Sequence, residues 1–365
     1  MKTLLRLFAA ACLASALLSC KLFDYSDLDV HKYALVYGTT VYSTAYTNPV
    51  TTLPAAAGPN LQYPDADAKG VAEMLSSHGF VISKSRWVDG SGEVWVDGAD
   101  TGKVGSLLTD NPDGSSPSGQ GPGDPSAPSK SNILSDLANL AQVAGPNDVV
   151  LVYFSGHGSP DVNPPAVPTH VWIDPYGSVM DIGTAGQYNY SLFDGLAIRD
   201  DELKASFDAF KTPRKVLIID TCNSGGFIGN QLEEDWTPPV TDTSSPAVGL
   251  DTLRAAIHDY LSFQSSSTGL SPYGAEVLAA AGKGEECYES NVFPNGTPLN
   301  HGVMTYFLLQ TARKADLNND GHVTVLEAFS WVRAGIETNR NPTYAPYGQA
   351  FEPHISGGPV DFVLF

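Results

Sequence analysis

The chain has 365 residues, 42% of them hydrophobic, and 40 Asp and Glu against 20 Lys and Arg give it a formal net charge of -20. This length and apolar content suffice for a large buried core, in one α/β domain with long insertions or in two or three domains. A strongly acidic chain without a basic stripe has nothing to neutralise phosphates, which excludes nucleic acid as a partner.

The N-terminal segment is typical of an export signal. Lys2 and Arg6 precede an apolar run over residues 7–18 that is too short to span a bilayer, so we predict a signal peptide over residues 1–19. Cys20 follows Leu-Leu-Ser, which resembles a bacterial lipoprotein signal even though a leucine stands where a small residue is usual. We therefore expect an exported protein held at a membrane of a bacterial cell envelope by acyl chains on Cys20. The alternative is an ordinary secreted protein.

The first mature segment predicts a β-α-β unit. Residues 33–38 are rich in β-branched and aromatic residues, which favours a central strand. Apolar residues at helical spacing predict a helix over residues 65–75, and Phe80 begins the next strand. Residues 105–131 are mostly Gly, Ser, Pro and Asp, with little to bury, so we expect a mobile surface loop there.

Three further apolar runs predict buried strands, over residues 148–154, 215–220 and 275–281, and a helix is expected from Ser131 through residue 144. Strands that alternate with helices imply a mostly parallel sheet, in which ligands bind beyond the carboxyl ends of the strands. His157 and Cys222 follow the first two of these runs.

A cysteine and a histidine at neighbouring strand ends are typical of nucleophilic catalysis. A thiol becomes a good nucleophile when a base takes its proton and nearby dipoles favour the thiolate. His157, between two glycines, is placed to be that base for Cys222, and the N–H groups of Gly158 and Cys222 are candidate oxyanion donors. The alternatives are a buried structural thiol and a disulfide to Cys287; a zinc site is disfavoured because no CxxC or HxxxH spacing supplies further ligands.

The two strand-end segments also carry a family resemblance. Ser-Gly-His-Gly ending at Gly158, and Asp-Thr-Cys-Asn-Ser-Gly-Gly over residues 220–226, resemble the two catalytic motifs of the caspase-like cysteine peptidases, most closely the metacaspases and their bacterial caspase-domain relatives. The resemblance extends over about residues 33–310. It departs from the family at Asn223, where many metacaspases have histidine, and in a Pro- and Ser-rich insertion over residues 231–272.

The resemblance implies a caspase-like three-layer α/β/α sandwich with a mostly parallel sheet. It also implies a cysteine endopeptidase in which Cys222 forms a thioester acyl-enzyme and His157 acts as general base and acid. In metacaspases acidic residues line the first specificity pocket, and Asp67 and Asp220 are their counterparts here. Paired carboxylates favour a basic side chain, so we expect peptide or protein substrates cleaved after Arg or Lys. The alternative is that the two carboxylates only accept backbone hydrogen bonds.

A calcium-loop pattern lies near the C-terminus. Oxygen-bearing side chains recur at positions 1, 3, 5, 9 and 12 of a twelve-residue loop, with glycine at position 6. We expect an EF-hand-like helix-loop-helix, with a helix over residues 302–314 before the loop and an amphipathic helix after it. The expected calcium ligands are Asp316, Asn318, Asp320, the His322 carbonyl, Thr324 and Glu327. The alternative is an Asx-rich turn that orders without metal.

These patterns together predict a signal over residues 1–19, a peptidase domain over residues 20–310 and a calcium-binding segment over residues 311–365 packed on it. We expect a monomer. A catalytically silent calcium-binding lipoprotein, which uses the same fold to bind a partner, and a cysteine-dependent transpeptidase or other hydrolase remain as alternative functions. The remaining histidines have no spacing typical of a site and are interpreted as ordinary: His170, His258, His301 and His354.

Overall fold

The structure is a computed structural model. It describes residues 30–42, 60–90, 94–97, 108–109, 126–159, 170–178, 195–228, 274–282, 285–356 and 361–365. The fold and the site below refer to these residues.

Thirteen strands are formed by the described residues. They are β1 (Lys32–Thr39), β2 (Phe80–Val88), β3 (Val94–Asp97), β4 (Leu108–Thr109), β5 (Val149–Ser155), β6 (His157–Ser159), β7 (Trp172–Asp174), β8 (Ile198–Arg199), β9 (Lys215–Asp220), β10 (Glu276–Ala279), β11 (Glu289–Val292), β12 (Pro298–Gly302) and β13 (His354–Ser356).

Eight of these described strands form one sheet in the order β13-β10-β9-β5-β1-β2-β3-β4. The five strands from β10 to β2 run parallel, and β13, β3 and β4 continue the sheet antiparallel at its two edges. Every residue of β5 and β9 is buried, as expected for apolar strands covered on both faces. The predicted mostly parallel sheet is confirmed, and β5 and β9 lie side by side, so their carboxyl ends meet at one edge.

Helices cover both faces of this sheet. In the described residues they are α1 (Pro64–Ser77), α2 (Lys130–Val143), α3 (Asp200–Asp208), α4 (Val303–Leu308), α5 (Thr311–Lys314), α6 (Val325–Asn339) and α7 (Asn341–Tyr344). Apolar residues of α1, α4 and α6 pack with one face of β1, β5 and β9, and those of α2 and α3 pack with the other face. Helix, sheet and helix therefore form three layers.

Two predicted segments differ from the structure. The loop expected over residues 105–131 includes β4 near its start, and at its end residues 126–129 are buried and lead into α2. The helix expected over residues 302–314 is interrupted between α4 and α5. There the Gln310 N–H donates to the Phe307 carbonyl at 3.1 Å, and the Thr311 hydroxyl donates to the Leu308 carbonyl at 2.7 Å. The Gln310 bond reaches three residues back instead of four, so the regular helical ladder is interrupted there.

The C-terminal segment is joined to the sheet at two places. Strand β13 pairs with β10, and α6 packs closely on α4, where a Cβ at Gly335 would overlap the Phe307 ring. Beyond them the chain end pairs with Val323, whose N–H donates to the Phe365 carbonyl at 2.9 Å. The Lys32 ammonium at the start of β1 donates to the Leu364 carbonyl at 2.7 Å. No helix in the described ranges has the length and apolarity needed to cross a membrane.

Candidate active site

His157 lies just beyond the carboxyl end of β5, at the first position of β6. Its backbone N–H donates to the Tyr42 hydroxyl at 2.6 Å, and the two rings are 4.7 Å apart between centroids. A Cβ at Gly156 would lie 2.8 Å from the same hydroxyl, so this position favours glycine. The buried Tyr42 side chain therefore fixes the backbone that carries the imidazole.

Cys222 lies two residues beyond the end of β9. The next residue, Asn223, has a φ of 61°, a left-handed conformation that asparagine adopts more readily than most residues. Its N–H donates to the Glu285 carbonyl at 2.8 Å. The Gly225 N–H donates to the Ala281 carbonyl at 2.7 Å. The segment after β10 thus accepts hydrogen bonds from two backbone N–H groups that follow the thiol.

The His157 and Cys222 turns are in direct contact, although 65 residues separate them in the sequence. A Cβ at Gly158 would lie 2.3 Å from the Cys222 carbonyl oxygen, so only glycine lets the two turns come this close. The Asn223 side-chain amide donates to the Gly158 carbonyl at 3.1 Å and ties the turns together. The structure therefore places the predicted base, nucleophile and oxyanion donors at one edge of the sheet.

The Cys222 thiol has a second thiol beside it. Both Cys222 and Cys287 are free, and the Cys222 sulfur lies 3.7 Å from the Cys287 carbonyl oxygen. A hydrogen bond from the Cys287 thiol lowers the pKa of Cys222, against the opposing effect of burial. The same contact, with burial, raises the pKa of Cys287 well above its ordinary value. Cys222 is therefore the thiol that ionises first.

Asp67 and Asp220 lie side by side next to Gly302, where a Cβ would be 3.0 Å from Asp67 Oδ2 and 2.4 Å from Asp220 Oδ2. Both side chains are buried and accept internal hydrogen bonds. Asp67 accepts from the Ser155 hydroxyl at 2.9 Å and the Gly302 N–H at 3.1 Å. Asp220 Oδ2 accepts from the Thr305 hydroxyl at 2.6 Å and its N–H at 3.1 Å. Among the described residues, no hydrogen bond engages Asp220 Oδ1.

Burial perturbs both carboxyl groups. It raises the pKa of Asp67, against opposing hydrogen bonds from His301 and Ser155. Burial first, and then the charge of Asp67, raises the pKa of Asp220 to about 7. Near neutral pH the pair therefore shares protons instead of carrying two full charges.

Comparison with known proteins identifies the family. The model of the caspase-domain peptidase family matches residues 31–353, most of the chain. The chain belongs to the caspase-domain family. The search of curated proteins finds no match. Among solved structures, this caspase domain is similar to the crystal structure of protein GSU0716 from Geobacter sulfurreducens, with 12% sequence identity, a TM-score of 0.46, and coverage of 90% of this chain and 95% of that chain.

Two residues of the caspase domain that sequence reasoning missed border the carboxyl pair. The His301 ring Nδ1 is 2.9 Å from Asp67 Oδ1, so this histidine is not the ordinary residue that we expected. The Glu289 carboxylate accepts from the backbone N–H groups of Gln62 and Tyr63 at 2.7 and 2.9 Å. Neither residue has a local motif, since each meets its partner across more than 220 positions of the chain.

A second histidine also differs from its interpretation. The His170 ring Nδ1 is 2.6 Å from Asp200 Oδ1, and with Asp201 these groups bring ligand atoms within 4.8 Å of one another. Within the described residues, His170, Asp200 and Asp201 form the group of His, Cys, Asp or Glu side chains that lie close enough together to hold a metal ion. The paired aspartates at the start of α3 were a sequence signal for it. Trp172, whose ring lies 6.1 Å from that of His170 between centroids, is buried, and so is Tyr176.

The predicted calcium loop lies between α5 and α6. The Asp316 carboxylate accepts from the Asp320 and Gly321 N–H groups at 3.1 and 3.0 Å. Glu327 is buried, and its carboxylate spans the loop by accepting from the Asn318 N–H at 3.3 Å and the Thr324 N–H at 3.0 Å. The predicted ligands thus accept backbone hydrogen bonds within the loop, and the described Asp316, Asp320 and Glu327 carboxylates do not bring three ligand atoms within 4.8 Å of one another. Their oxygen side chains are the ligand type that calcium takes.

Several predictions concern residues outside the described ranges. They are the signal over residues 1–19, the lipid site at Cys20, the insertion over residues 231–272, and His258.

Proposed function

We propose that this caspase domain is a cysteine endopeptidase that cleaves after Arg or Lys. The observation that supports it most is the contact between the two turns, in which Gly158 packs on the Cys222 carbonyl and Asn223 bonds to Gly158. That contact positions an imidazole and a thiol from distant parts of the chain at one strand-end edge, where open α/β sheets bind ligands.

In the acylation step, His157 takes the proton of the Cys222 thiol, and the sulfur attacks the carbonyl carbon of the scissile amide. The negative charge that develops on the carbonyl oxygen is stabilised by the N–H groups of Gly158 and Cys222. The imidazolium then protonates the leaving nitrogen, the C–N bond breaks, and a thioester to Cys222 remains. In the second step His157 takes a proton from water, the hydroxide attacks the thioester, and the thiolate leaves.

The preference for a basic residue follows from the charge around the carboxyl pair. Asp67, Asp220 and Glu289 interact electrostatically with one another, and burial raises the pKa of each. A guanidinium or ammonium group placed among them would favour their ionised forms and gain charge-assisted hydrogen bonds, with Asp220 Oδ1 as a free acceptor. A neutral side chain would leave the carboxyl groups protonated, and an acidic side chain would be repelled by them. The internal bonds to Ser155 and Thr305 orient the pair for this role.

We further propose that the loop between α5 and α6 binds calcium. Asp316, Asn318, Asp320, Thr324 and Glu327 would supply side-chain oxygens. The His322 carbonyl would complete the set. When bound, the ion would neutralise the carboxylates of the loop and draw them together. Because Val323, inside the loop, pairs with the chain end, the ion would also hold the C-terminal residues against the sheet.

We also propose that the protein is exported as a monomer and anchored through Cys20, with secretion as the alternative. A peptidase, a transpeptidase and a catalytically silent binding module could all have this fold. The environment of Cys222 favours the peptidase and the transpeptidase. A binding module has no need for a thiol whose pKa is lowered by a neighbouring donor.

The decisive experiment is cleavage of fluorogenic peptides ending in Arg, Lys, Asn or Asp by the protein without residues 1–19, in calcium buffer. We expect hydrolysis of the Arg and Lys peptides, and loss of activity to background in Cys222→Ala and His157→Ala. Cys287→Ala is the matched control, because it removes a thiol from the same site but leaves the nucleophile, so it should hydrolyse the same peptides at a reduced rate. Products extended by an added amine would indicate a transpeptidase, and no turnover by the folded protein would contradict the peptidase proposal.

A further inference from the structure

The small sheet beside the site places a carboxyl group opposite His157. Strands β6 and β7 are antiparallel, and His157 pairs with Asp174 in their register. Residues directly opposite in an antiparallel pair carry their side chains on the same face, with Cβ atoms about 4.5–5.5 Å apart. Ser159, two residues after His157, shares that face, and its hydroxyl donates to Asp174 Oδ2 at 2.6 Å. The Asp174 carboxyl group therefore lies on the His157 side of β7.

The Asp174 carboxyl group is only partly satisfied. The residue is 2% exposed, and its Oδ1 is buried without a hydrogen-bond partner among the described residues. An unpaired buried acceptor is destabilising, so its presence needs an explanation. The fold does not need this group to close the small sheet, because the backbone pairs β6, β7 and β8.

We propose that Asp174 is a positioning residue for His157: its carboxylate orients the imidazole and stabilises the imidazolium that forms when Cys222 gives up its proton. The proposal takes the roles of His157 and Cys222 from the proposed function. The proton moves from the Cys222 sulfur to the imidazole and no further. Asp174 stays ionised during the transfer, and the site then holds a thiolate, an imidazolium and a carboxylate.

The surroundings of Asp174 suit such a group. Burial raises the pKa of Asp174 to about 7, against the Ser159 hydrogen bond, so a neighbouring positive charge shifts it toward the carboxylate near neutral pH. Tyr42 also lies against His157, and its pKa is raised well above its ordinary value, by burial first. Tyr42 therefore stays neutral, and the negative charges that act on it come from Asp174, Cys222 and Glu289.

The test measures the ionisation of Cys222 without any substrate. The rate of Cys222 alkylation by iodoacetamide, followed by mass spectrometry between pH 4 and 10, reports the thiolate fraction. We expect Asp174→Asn, which keeps the shape and loses the charge, to raise the midpoint by about one pH unit and to slow alkylation about tenfold below it. The matched control is Asp148→Asn, which removes a buried carboxylate at the opposite end of β5. A purely structural role predicts the same pH profile for Asp174→Asn, Asp148→Asn and the wild type, and that result would overturn the proposal.

A second measurement does not depend on the folding of Asp174→Asn. In the Cys222→Ala protein, ring NMR of the 8 histidines, with His157 assigned from the His157→Ala variant, gives the titration of the imidazole without the thiolate. We expect His157 to titrate above the ordinary value of about 6.5, and a lower midpoint would contradict the proposal. Neither measurement uses a peptide, so failure to cleave peptides would remove the proposed function and leave this result standing.

Discussion

Gly302 offers a direct test of how tightly the carboxyl pair is held. Its φ of -54° is open to any residue, so Gly302→Ala introduces no backbone strain. The added Cβ, however, would lie 2.4 Å from Asp220 Oδ2 and 3.0 Å from Asp67 Oδ2. A carbon and an oxygen in ordinary contact are about 3.4 Å apart, so the Asp220 carboxyl has to move by about 1 Å.

That movement breaks specific bonds. Asp220 Oδ2 accepts from the Thr305 hydroxyl at 2.6 Å and its N–H at 3.1 Å, and a 1 Å shift weakens both. A hydrogen bond to a charged group contributes about 1.5–3 kcal/mol, and overpacking costs about 1–3 kcal/mol. With partial relaxation, we expect Gly302→Ala to lower the free energy of unfolding by about 3 kcal/mol.

Urea denaturation followed by tryptophan fluorescence measures this loss. The control is Gly195→Ala, where an added Cβ meets nothing within 4 Å and which should lie within about 0.5 kcal/mol of the wild type. If the carboxyl pair forms the specificity pocket, Gly302→Ala should also raise KM for an Arg reporter peptide. Equal unfolding free energies for the two variants would refute the reasoning, because they would mean that the carboxylates are free to move away.

Glu276 is 0% exposed with both carboxylate oxygens unpartnered among the described residues, and burial raises its pKa well above the ordinary value. The folded protein keeps the Glu276 proton that the unfolded chain releases, so the wild type loses stability as pH rises above about 4.5. We therefore expect Glu276→Gln to stabilise the protein more at pH 8 than at pH 5, as measured by urea denaturation. An equal effect at both pH values would contradict this. Cys287→Ala removes the hydrogen bond that lowers the pKa of Cys222, so iodoacetamide should alkylate Cys222 severalfold more slowly at pH 7, and an unchanged rate would contradict this. Diamide should join the same two thiols into a disulfide that dithiothreitol reverses, detected as loss of two free thiols by mass spectrometry, while Cys287→Ser should form no such bond. Calcium should raise the melting temperature of the wild type but not of Glu327→Gln, with Glu337→Gln, farther along α6, as a control that keeps the response.

The local pattern of the sequence determined the five parallel strands of the main sheet but not its antiparallel edge strands β3, β4 and β13. The apolar run ending in Asp220 predicts the bounds of β9, and the run before His157 predicts β5 to within one residue. Both strands are apolar on both faces because helices cover both faces of the sheet, and this pattern is visible in the sequence of each strand alone. The glycine on each side of His157, by contrast, is explained by tertiary contacts, because a Cβ at Gly156 would overlap the Tyr42 hydroxyl and one at Gly158 the Cys222 carbonyl.

The bounds of the C-terminal helices were less predictable. The helix predicted over residues 302–314 is divided where the Gln310 N–H donates three residues back, to the Phe307 carbonyl, and apolar periodicity does not report such a bond. The pairing of the chain end with Val323 has no local signal either, because it joins residues about forty positions apart.

For the candidate site, the sequence by itself determined which residues have the chemistry: a thiol and an imidazole at the ends of buried strands, and two aspartates near them. Only the tertiary structure decided which other groups surround them, namely Cys287 beside the thiol, His301 and Glu289 beside Asp67, and Asp174 opposite His157. The physical reason is that the burial of a strand is visible in its own apolar residues. The partner of a side chain, in contrast, depends on the register and packing of segments that are distant in the chain.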